Sequence, residues 1–169
     1  MSTLESRFLA DLSPHKGMLY QVANAYCSRR EDRSDLIQDM IAELWRAYPR
    51  FDRRAAFSTF LHRIAVNVAI SFFRGETRRI RDALPIEDFG MDLAAADRVF
   101  DAQGEDLHAL HQLIARLDEI NRALILLYLQ GYTLDELAQM VGLTVTNVAT
   151  RINRIKTRLQ RDHAAQETP

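Results

Sequence analysis

The chain has 169 residues, enough for one medium-sized domain or two small ones, and 47% of them are hydrophobic. With few Gly and Pro, this composition predicts a folded, mostly helical protein and excludes a disordered one. The single cysteine, Cys27, excludes an internal disulfide and leaves no Cys pair for a zinc site. No signal peptide opens the chain and its longest apolar run, residues 123–129, is too short to cross a bilayer, so we expect a cytoplasmic protein without membrane contact.

The first half of the chain predicts a helical bundle. Residues 15–30 show helical spacing of apolar residues and form one predicted helix. Ser34 is the predicted N-cap of the next helix, whose apolar stripe runs over residues 36–48 before Pro49 ends it. The opposite face of this helix carries polar residues, among them Asp35, Gln38 and Asp39. Such a face is usually just solvated, which leaves a partner-binding role open.

A third helix is predicted from about Thr59 to Arg74, with Ser58 as its cap. Its apolar face comprises Phe60, Leu61, Ile64, Ala65, Val68, Ala69, Phe72 and Phe73. Its polar face carries Arg63, Asn67 and Arg74, and the loop before the helix contains Arg50, Phe51 and Arg53. Basic residues with aromatic neighbours suit single-stranded DNA, because phosphates accept the charge and bases stack on the rings. The phenylalanines, taken singly, are more often ordinary core residues.

The charges divide the chain into three parts. Residues 1–80 carry thirteen Lys and Arg against nine Asp and Glu, a net charge of +4. Residues 81–118 carry three against nine, or −6, and residues 119–169 carry six against five, or +1. Two mildly basic modules therefore flank an acidic connector. Residues 82–104 contain one Pro, two Gly and scattered acids without lasting helical periodicity, so we predict a flexible acidic linker there.

Residues 131–158 carry the signature of a helix-turn-helix. Thr133 and Glu136 form a T-x-x-E capping box at the start of the first helix. Gly142 stands where that helix must stop, because Gly adopts a left-handed backbone at little cost. Thr144 is the predicted cap of the second helix. One stripe of this second helix is apolar, with Val148, Ile152, Ile155 and Leu159, and the opposite stripe is polar, with Asn147, Thr150, Arg151, Arg154 and Arg158. A helix in a DNA major groove needs such a polar stripe.

Taken together, these segments resemble a known family. The motifs that carry the resemblance are DLIQDMIAELWRAYPRF, FSTFLHRIAVNVA and ARLDEINRALILLYLQGYTLDELAQMVGLTVTNVATRINRIKTRL. In this order and spacing they resemble a bacterial RNA polymerase sigma factor of the extracytoplasmic-function (ECF) group of the sigma-70 family. The resemblance covers roughly residues 15–80 and 106–160. It implies an all-α fold of two small helical domains: region 2 at residues 1–81 and region 4 at residues 105–169.

The resemblance also implies roles for individual residues. The core polymerase-binding residues it implies are Asp35, Gln38 and Asp39. For the −10 element, where a base is unstacked and held, it implies Arg50, Phe51, Arg53, Arg63, Asn67 and Arg74. For the −35 element it implies Thr146, Asn147, Thr150, Arg151 and Arg154. The chain departs from the family at Ala149, where many members carry Lys or Arg, and at Asp118, where Pro is common. We expect Asp118 to affect only the helix start.

These roles predict an initiation factor that binds core RNA polymerase, recognises promoter DNA and opens its strands. We also expect an anti-sigma factor as a partner. Two other interpretations stay open at this point. One is a stand-alone helix-turn-helix transcriptional regulator, and the other is a protein-binding adaptor without DNA contact. The sequence contains no catalytic constellation, so we expect no enzyme, and His108 and His111 lack a third ligand, so we expect no metal or cofactor.

Overall fold

The computed structural model describes residues 3–75 and 105–166, without the side chains of residues 105–108 and 166. The predicted linker at residues 82–104 lies outside the described residues. The chain divides into two compact units, unit 1 at residues 1–102 and unit 2 at residues 103–169. Within the described ranges the backbone forms helices and turns without any strand, which confirms the predicted all-α fold. None of the helices in these ranges combines the length and apolar character needed to cross a membrane.

Unit 1 is a bundle of four described α-helices. They are α1 (Leu4–Leu12), α2 (Lys16–Tyr26), α3 (Arg30–Ala47) and α4 (Phe57–Phe73), with short 3-10 turns at Ser13–His15 and Tyr48–Arg50. Helices α2, α3 and α4 pack against one another. Fully buried side chains from all four helices form the core, among them Phe8, Leu19, Leu36, Met40, Leu44 and Leu61. Burial of each such side chain is worth about 1.5–3 kcal/mol relative to exposure.

Helix α1 is an element that the sequence analysis missed. The side chain of Thr3 caps it by accepting a hydrogen bond from the backbone N–H of Ser6 at 3.1 Å. Phe8 and Leu12, four residues apart, point into the core. The available signals were the cap and the four-residue spacing of Leu4, Phe8 and Leu12, but this apolar stripe spans only two helical turns.

Two predicted N-caps in unit 1 are wrong. Ser34 lies inside α3, which begins at Arg30 without a side-chain cap and has Glu31 and Asp32 in its first turn. Those two carboxylates stabilise the positive end of the helix dipole, so the helix extends past the serine. Ser58 likewise lies inside α4, whose N-cap is Ala56. The predicted helix at residues 15–30 is shorter than expected and ends at Tyr26.

Unit 2 contains α5 (Glu105–Ala115), α6 (Glu119–Leu129), α7 (Leu134–Val141) and α8 (Val145–Gln166). Helices α6, α7 and α8 pack in pairs around one core, and α5 packs on α6 and α8. The core is built from aliphatic side chains, among them Ile114, Leu124, Leu127, Leu137, Val148 and Ile152. Buried Arg122 ties α5 to α6, because its Nη2 donates to the carbonyls of Ala115 at 2.5 Å and Leu117 at 2.9 Å.

The predicted helix-turn-helix is confirmed in its local details. The hydroxyl of Thr133 accepts from the backbone N–H of Glu136, and the carboxylate of Glu136 accepts from the backbone N–H of Thr133 at 2.8 Å. The backbone N–H of Thr133, and also its hydroxyl at 2.9 Å, donate to the carboxylate of Glu136 and lower its pKa, so the capping box holds a carboxylate. Gly142 has φ +72°, and the backbone N–H of Leu143 donates to the carbonyl of Ala138, as in a Schellman motif.

Candidate DNA and polymerase interfaces

Helix α8 separates its apolar and polar residues cleanly. Val148, Ile152 and Ile155 are at most 3% exposed and form its buried side. Asn147, Thr150 and Arg154 of the predicted polar stripe are exposed, and so is Thr146. The hydroxyl of Thr144 accepts from the backbone N–H of Asn147 at 3.3 Å, so this predicted cap is confirmed. The helix therefore presents a polar stripe of threonine, amide and guanidinium groups, as major-groove recognition requires.

Arg151 differs from its neighbours on this stripe, because it is half-buried and bonded within the protein. Its Nε donates to Oδ1 of Asn147 at 2.8 Å, one turn earlier on α8. Its Nη1 donates to Oδ1 of Asn121 on α6 at 3.1 Å. No motif in the sequence indicates Asn121, because a contact between residues thirty positions apart leaves no local pattern.

Asp118 does more than begin a helix. Its Oδ1 accepts from the backbone N–H of Asn121 at 2.9 Å, which is the expected N-cap of α6. Its Oδ2 accepts from the side-chain Nδ2 of Asn121 at 2.5 Å. The expectation that Asp118 affects only the helix start is therefore incomplete, because its second oxygen holds the amide that contacts Arg151.

The polar face of α3 is less exposed than the sequence pattern predicts. Gln38 is exposed and Asp35 is half-buried, but Asp39 is only 3% exposed. The expected position of Asp39 on an exposed docking stripe is therefore wrong. The periodicity of α3 alone does not reveal this, because Asp39 adjoins Met40 around the helix and the surrounding bundle covers both. On this face Gln38 and Arg46 are exposed, and Asp35 is half-buried.

The loop between α3 and α4 is held by α1. Arg53 has φ +61°, a left-handed backbone that is costly for a residue with a Cβ. Its Nη2 lies 3.1 Å from Oδ2 of Asp11 on α1, and the hydroxyl of Tyr48 donates to the same oxygen at 2.7 Å. Burial, together with the hydrogen bond to Asp11, raises the pKa of Tyr48, so its hydroxyl stays a donor. Asp11 is a functional candidate that sequence reasoning missed along with α1.

Aromatic rings gather beneath this loop. Phe51 lies 4.8 Å from Phe60, 5.6 Å from Phe57 and 6.2 Å from Tyr48, measured between ring centroids. Phe51 is half-buried, and the guanidinium carbon of Arg53 lies 5.9 Å from the centroid of its ring. The loop thus places a cation beside an aromatic ring at the protein surface, and a nucleic-acid base and its phosphate can use both groups.

Helix α4 carries the remaining residues predicted for single-stranded DNA. Arg63 and Asn67 are exposed one turn apart, and Arg74 is exposed at the C-cap. Phe73 was predicted on the apolar face but is 51% exposed. His62, which the sequence analysis did not single out, is buried; burial, opposed by a backbone hydrogen bond to Ser58, lowers its pKa to about 4. At neutral pH His62 is therefore an uncharged side chain inside the bundle.

Among the described residues, no three His, Cys, Asp or Glu side chains come together as metal ligands would. The described residues present two separate polar surfaces, one on each unit. The first surrounds the α3–α4 loop, and the second follows α8 in a helix-turn-helix. These features define a helical DNA-binding protein of the helix-turn-helix class.

Comparisons with known proteins identify the family. The profile of sigma-70 region 2 matches residues 12–79, and that of sigma-70 region 4 matches residues 107–159. The chain is 31% identical to the ECF RNA polymerase sigma factor SigM of Mycobacterium tuberculosis over 148 residues, 87% of this chain and 72% of that protein. It is 30% identical to the RNA polymerase sigma factor CnrH of Cupriavidus metallidurans, over 86% of this chain and 80% of that protein.

Two solved structures have the same fold. CnrH in complex with the cytosolic domain of CnrY has a TM-score of 0.61 and 26% identity, over 94% of this chain and 88% of that one. The sigma factor RpoE of Bartonella quintana, in complex with the anti-sigma factor NepR, has a TM-score of 0.68 and 22% identity, over 92% and 95%. The second likeness concerns the fold alone.

The chain belongs to the ECF group of the sigma-70 family. It is a sigma factor, which directs RNA polymerase to promoters when transcription begins. The two other interpretations, a stand-alone regulator and a protein-binding adaptor, are not favoured. The family to which the chain belongs is not a family of enzymes.

Proposed function

We propose that the two units divide the work of promoter recognition. Residues 1–81 bind core polymerase and the −10 element, residues 105–169 bind the −35 element, and residues 82–104 connect them. The two family profiles support this division, because region 2 and region 4 match separate parts of the chain. The observation that carries the proposal is the exposed polar stripe of α8, opposite the buried side chains of Val148, Ile152 and Ile155.

In this proposal, α8 reads the −35 element through Thr146, Asn147, Thr150, Arg151 and Arg154. Arg154 is exposed, and no hydrogen bond or ion pair ties it to the described protein, so its guanidinium is available to a guanine edge or a phosphate. Arg151 has two of its five N–H donors engaged by asparagines. We therefore assign base recognition first to Arg154. Arg151 also contacts the −35 element, but the two asparagines limit the positions that its side chain can take.

The −10 element is assigned to Arg50, Phe51, Arg53, Arg63, Asn67 and Arg74. Five of these side chains are exposed and the sixth, Phe51, is half-buried at the edge of the aromatic cluster. Opening the duplex and capturing a base costs a few kcal/mol of unstacking, which contacts with the base must offset. The cation beside the ring of Phe51 offers both stacking and phosphate neutralisation.

Core polymerase docks on the face of α3 that contains Asp35 and Gln38. We remove Asp39 from direct contact, because a side chain that is 3% exposed presents almost no surface to a partner.

A substitution in α8 tests the proposal. Arg154→Ala should cost about 1–3 kcal/mol of promoter binding by the polymerase complex and relax the preference at one −35 base. Arg161→Ala is the matched control, since it removes the same charge from the same helix, at an exposed residue that is paired with Asp162. Promoter affinity is measured with core polymerase at one stated salt concentration. Equal affinity for Arg154→Ala and the unmodified protein would show that α8 does not read the −35 element.

The chain without polymerase should bind promoter DNA poorly. Phosphate neutralisation supplies most non-specific affinity, and a net charge of −1 supplies little of it. The residues between the two basic modules carry −6 and repel DNA. Core polymerase should therefore convert weak binding into tight binding, which gel filtration and promoter titrations of the same sample can follow. Nanomolar, sequence-specific binding by the chain alone would favour the stand-alone regulator.

An anti-sigma factor is the further partner that we propose. One similar solved structure contains RpoE with the anti-sigma factor NepR, and another contains CnrH with the cytosolic domain of CnrY. By likeness, a protein that covers the polymerase- or DNA-binding faces would keep this chain inactive. The proposed site of action is the cytoplasm, where polymerase and promoter are found, and the proposed role needs neither an enzymatic activity nor a cofactor.

A further inference from the structure

Four side chains of unit 2 form one continuous hydrogen-bonded chain, which we call the relay: Asp118, Asn121, Arg151 and Asn147. It begins at the N-cap of α6, where Oδ2 of Asp118 accepts from Nδ2 of Asn121 at 2.5 Å. It crosses to α8, where Nη1 of Arg151 donates to Oδ1 of Asn121 at 3.1 Å. It ends on the exposed stripe, where Nε of Arg151 donates to Oδ1 of Asn147 at 2.8 Å.

The chemistry of these groups permits only one direction for the relay. An ionised carboxylate only accepts hydrogen bonds and a guanidinium only donates them. The amide of Asn121 stands between the two, so its Nδ2 must face Asp118 and its Oδ1 must face Arg151. The reversed amide would place oxygen against oxygen and nitrogen against nitrogen. The orientation of Asn121 is therefore fixed by its partners rather than chosen among equal alternatives.

The relay connects a residue outside the DNA-reading helix to two residues on it. Hydrogen bonds to a charged group are stronger than neutral ones, and the guanidinium of Arg151 is half-buried, where solvent screens it less. The relay therefore restricts the rotamers of Arg151 and of Asn147 before DNA arrives. A side chain held in place before binding loses less conformational entropy on binding.

We propose that Asp118 and Asn121 are positioning residues for −35 recognition, acting through Arg151 and Asn147. This inference rests on the proposed function, in which α8 reads the −35 element. It goes beyond that function because neither Asp118 nor Asn121 lies on α8. The inference also assigns a role to Asp118, where many family members have proline. A proline at this position has no side-chain oxygen to hold the amide of Asn121.

The first test removes the middle of the relay. Asn121→Leu is close in size to asparagine and lacks the amide, so Arg151 loses its partner on α6. We expect promoter affinity of the polymerase complex to fall about tenfold, the loss typical of one hydrogen bond to a charged group. The base preference at the −35 position nearest Arg151 should relax, while preferences at the −10 element stay unchanged. Unchanged affinity and preference would overturn the proposal.

The second test exchanges the chemistry of two positions. Asn121→Asp alone puts a second carboxylate beside Asp118, and the repulsion should weaken binding at least as much as Asn121→Leu. Asp118→Asn together with Asn121→Asp restores the donor-to-acceptor order, because the amide at 118 donates to the carboxylate at 121, which accepts from Arg151. Asparagine is also a good N-cap. We expect the double variant to recover to within about twofold of the unmodified protein. A double variant as weak as Asn121→Asp would overturn the relay.

Controls separate positioning from stability. In an Arg151→Ala background, Asn121→Leu should weaken binding less than about twofold, because nothing remains to be positioned. A tenfold loss in that background would mean that Asn121 acts only on folding, and would overturn the proposal. Thr133→Ala removes another side-chain N-cap of unit 2 outside the relay, so it should lower thermal stability without changing −35 preference.

Arg154→Ala distinguishes failure of the relay from failure of the proposed function. If Arg154→Ala weakens promoter binding and Asn121→Leu does not, α8 reads DNA but the relay does not position it. If neither substitution changes promoter binding, −35 recognition by α8 fails and the relay proposal fails with it.

Discussion

The two candidate DNA-binding surfaces are built in different ways. The α8 surface of unit 2 lies on a helix, and residues within three positions of each other set the helix starts, as Thr144 and Asn147 do. The loop surface of unit 1 depends on Asp11 and Arg53, which are forty-two positions apart. The helix starts that shape the α8 surface are therefore encoded locally, and of the described residues on that surface only Arg151 has a distant partner, Asn121. The loop surface, in contrast, needs a distant partner to hold its backbone.

The two surfaces also differ in the free energy that stabilises them. On the α8 side, a helix cap contributes about 1 kcal/mol and requires no unusual backbone conformation. Arg53 adopts a left-handed backbone, which costs about 1–3 kcal/mol in a residue other than glycine. The carboxylate of Asp11, which accepts from both Arg53 and Tyr48, offsets that cost. Substitutions of buried residues, or of residues that contact a distant partner, therefore test most directly how the two surfaces differ.

The largest effect is expected inside unit 1. Asp39→Arg should destabilise the unit by more than about 3 kcal/mol, because it forces a long cation into a position that is 3% exposed. Gln38→Arg, at the exposed neighbouring position, should change stability by less than about 0.5 kcal/mol yet weaken polymerase binding. Denaturant unfolding and gel filtration with core polymerase separate the two effects. Normal unfolding of Asp39→Arg would mean that this carboxylate faces solvent after all.

Acid should weaken unit 1 through His62. Burial lowers its folded-state pKa to about 4 from the ordinary 6.5, so the unfolded chain takes up the proton first. The stabilisation is complete above about pH 6.5 and is lost as the pH falls towards 4, by up to about 3 kcal/mol at about 1.4 kcal/mol per pH unit.

The check on His62 is the difference between unmodified protein and His62→Leu in urea unfolding from pH 7 to pH 4. As the pH falls, the free energy of unfolding should decrease less for His62→Leu than for the unmodified protein, because leucine cannot take up a proton. A difference independent of pH would place the histidine in contact with water. In unit 2, the histidines with described side chains are not buried, so the effect should be confined to unit 1.

Unit 2 should respond to loss of a buried cation instead. Arg122→Leu removes the donors to the carbonyls of Ala115 and Leu117, and should destabilise the unit by about 2–3 kcal/mol. Arg116→Leu, at an exposed position nearby, is the matched control and should stay within about 0.5 kcal/mol. Thermal unfolding measures both. Similar melting temperatures for the two variants would contradict the assigned role of Arg122 at the end of α5.

Substitution of Asp11 should have the smallest effect on stability, and it should slow opening of the −10 element. Asp11→Ala releases Arg53 and Tyr48, and should cost about 1 kcal/mol, because the Arg53 side chain is 60% exposed. The loop then loses its fixed shape, so we expect slower opening of the −10 element without a change in −35 affinity. The fluorescence of 2-aminopurine placed in the −10 element reports opening. Asp11→Asn, which keeps an acceptor for Tyr48, should be intermediate, and normal opening in Asp11→Ala would remove α1 from the mechanism.

Several features were predictable from local sequence because their causes are local. The capping box of Thr133 and Glu136, the turn at Gly142 and the cap at Thr144 each involve residues within a few positions of each other. The predicted caps Ser34 and Ser58 failed because both helices begin upstream of the serine, at Arg30 and at Phe57. A cap residue signals a possible helix start, but favourable charges upstream of Ser34 extended the helix past it.

The amino-acid sequence by itself determined the helical class, the helix-turn-helix with its two-sided second helix, and the family, because periodicity, caps and motif order are written along the chain. Only the tertiary structure decided that Asp39 is buried, that Asp11 holds Arg53, and that Asn121 orients Arg151. Each of these depends on which helices pack together. A helical face is polar or apolar by sequence, but whether a polar side chain meets solvent or a distant partner is decided only when another helix covers it.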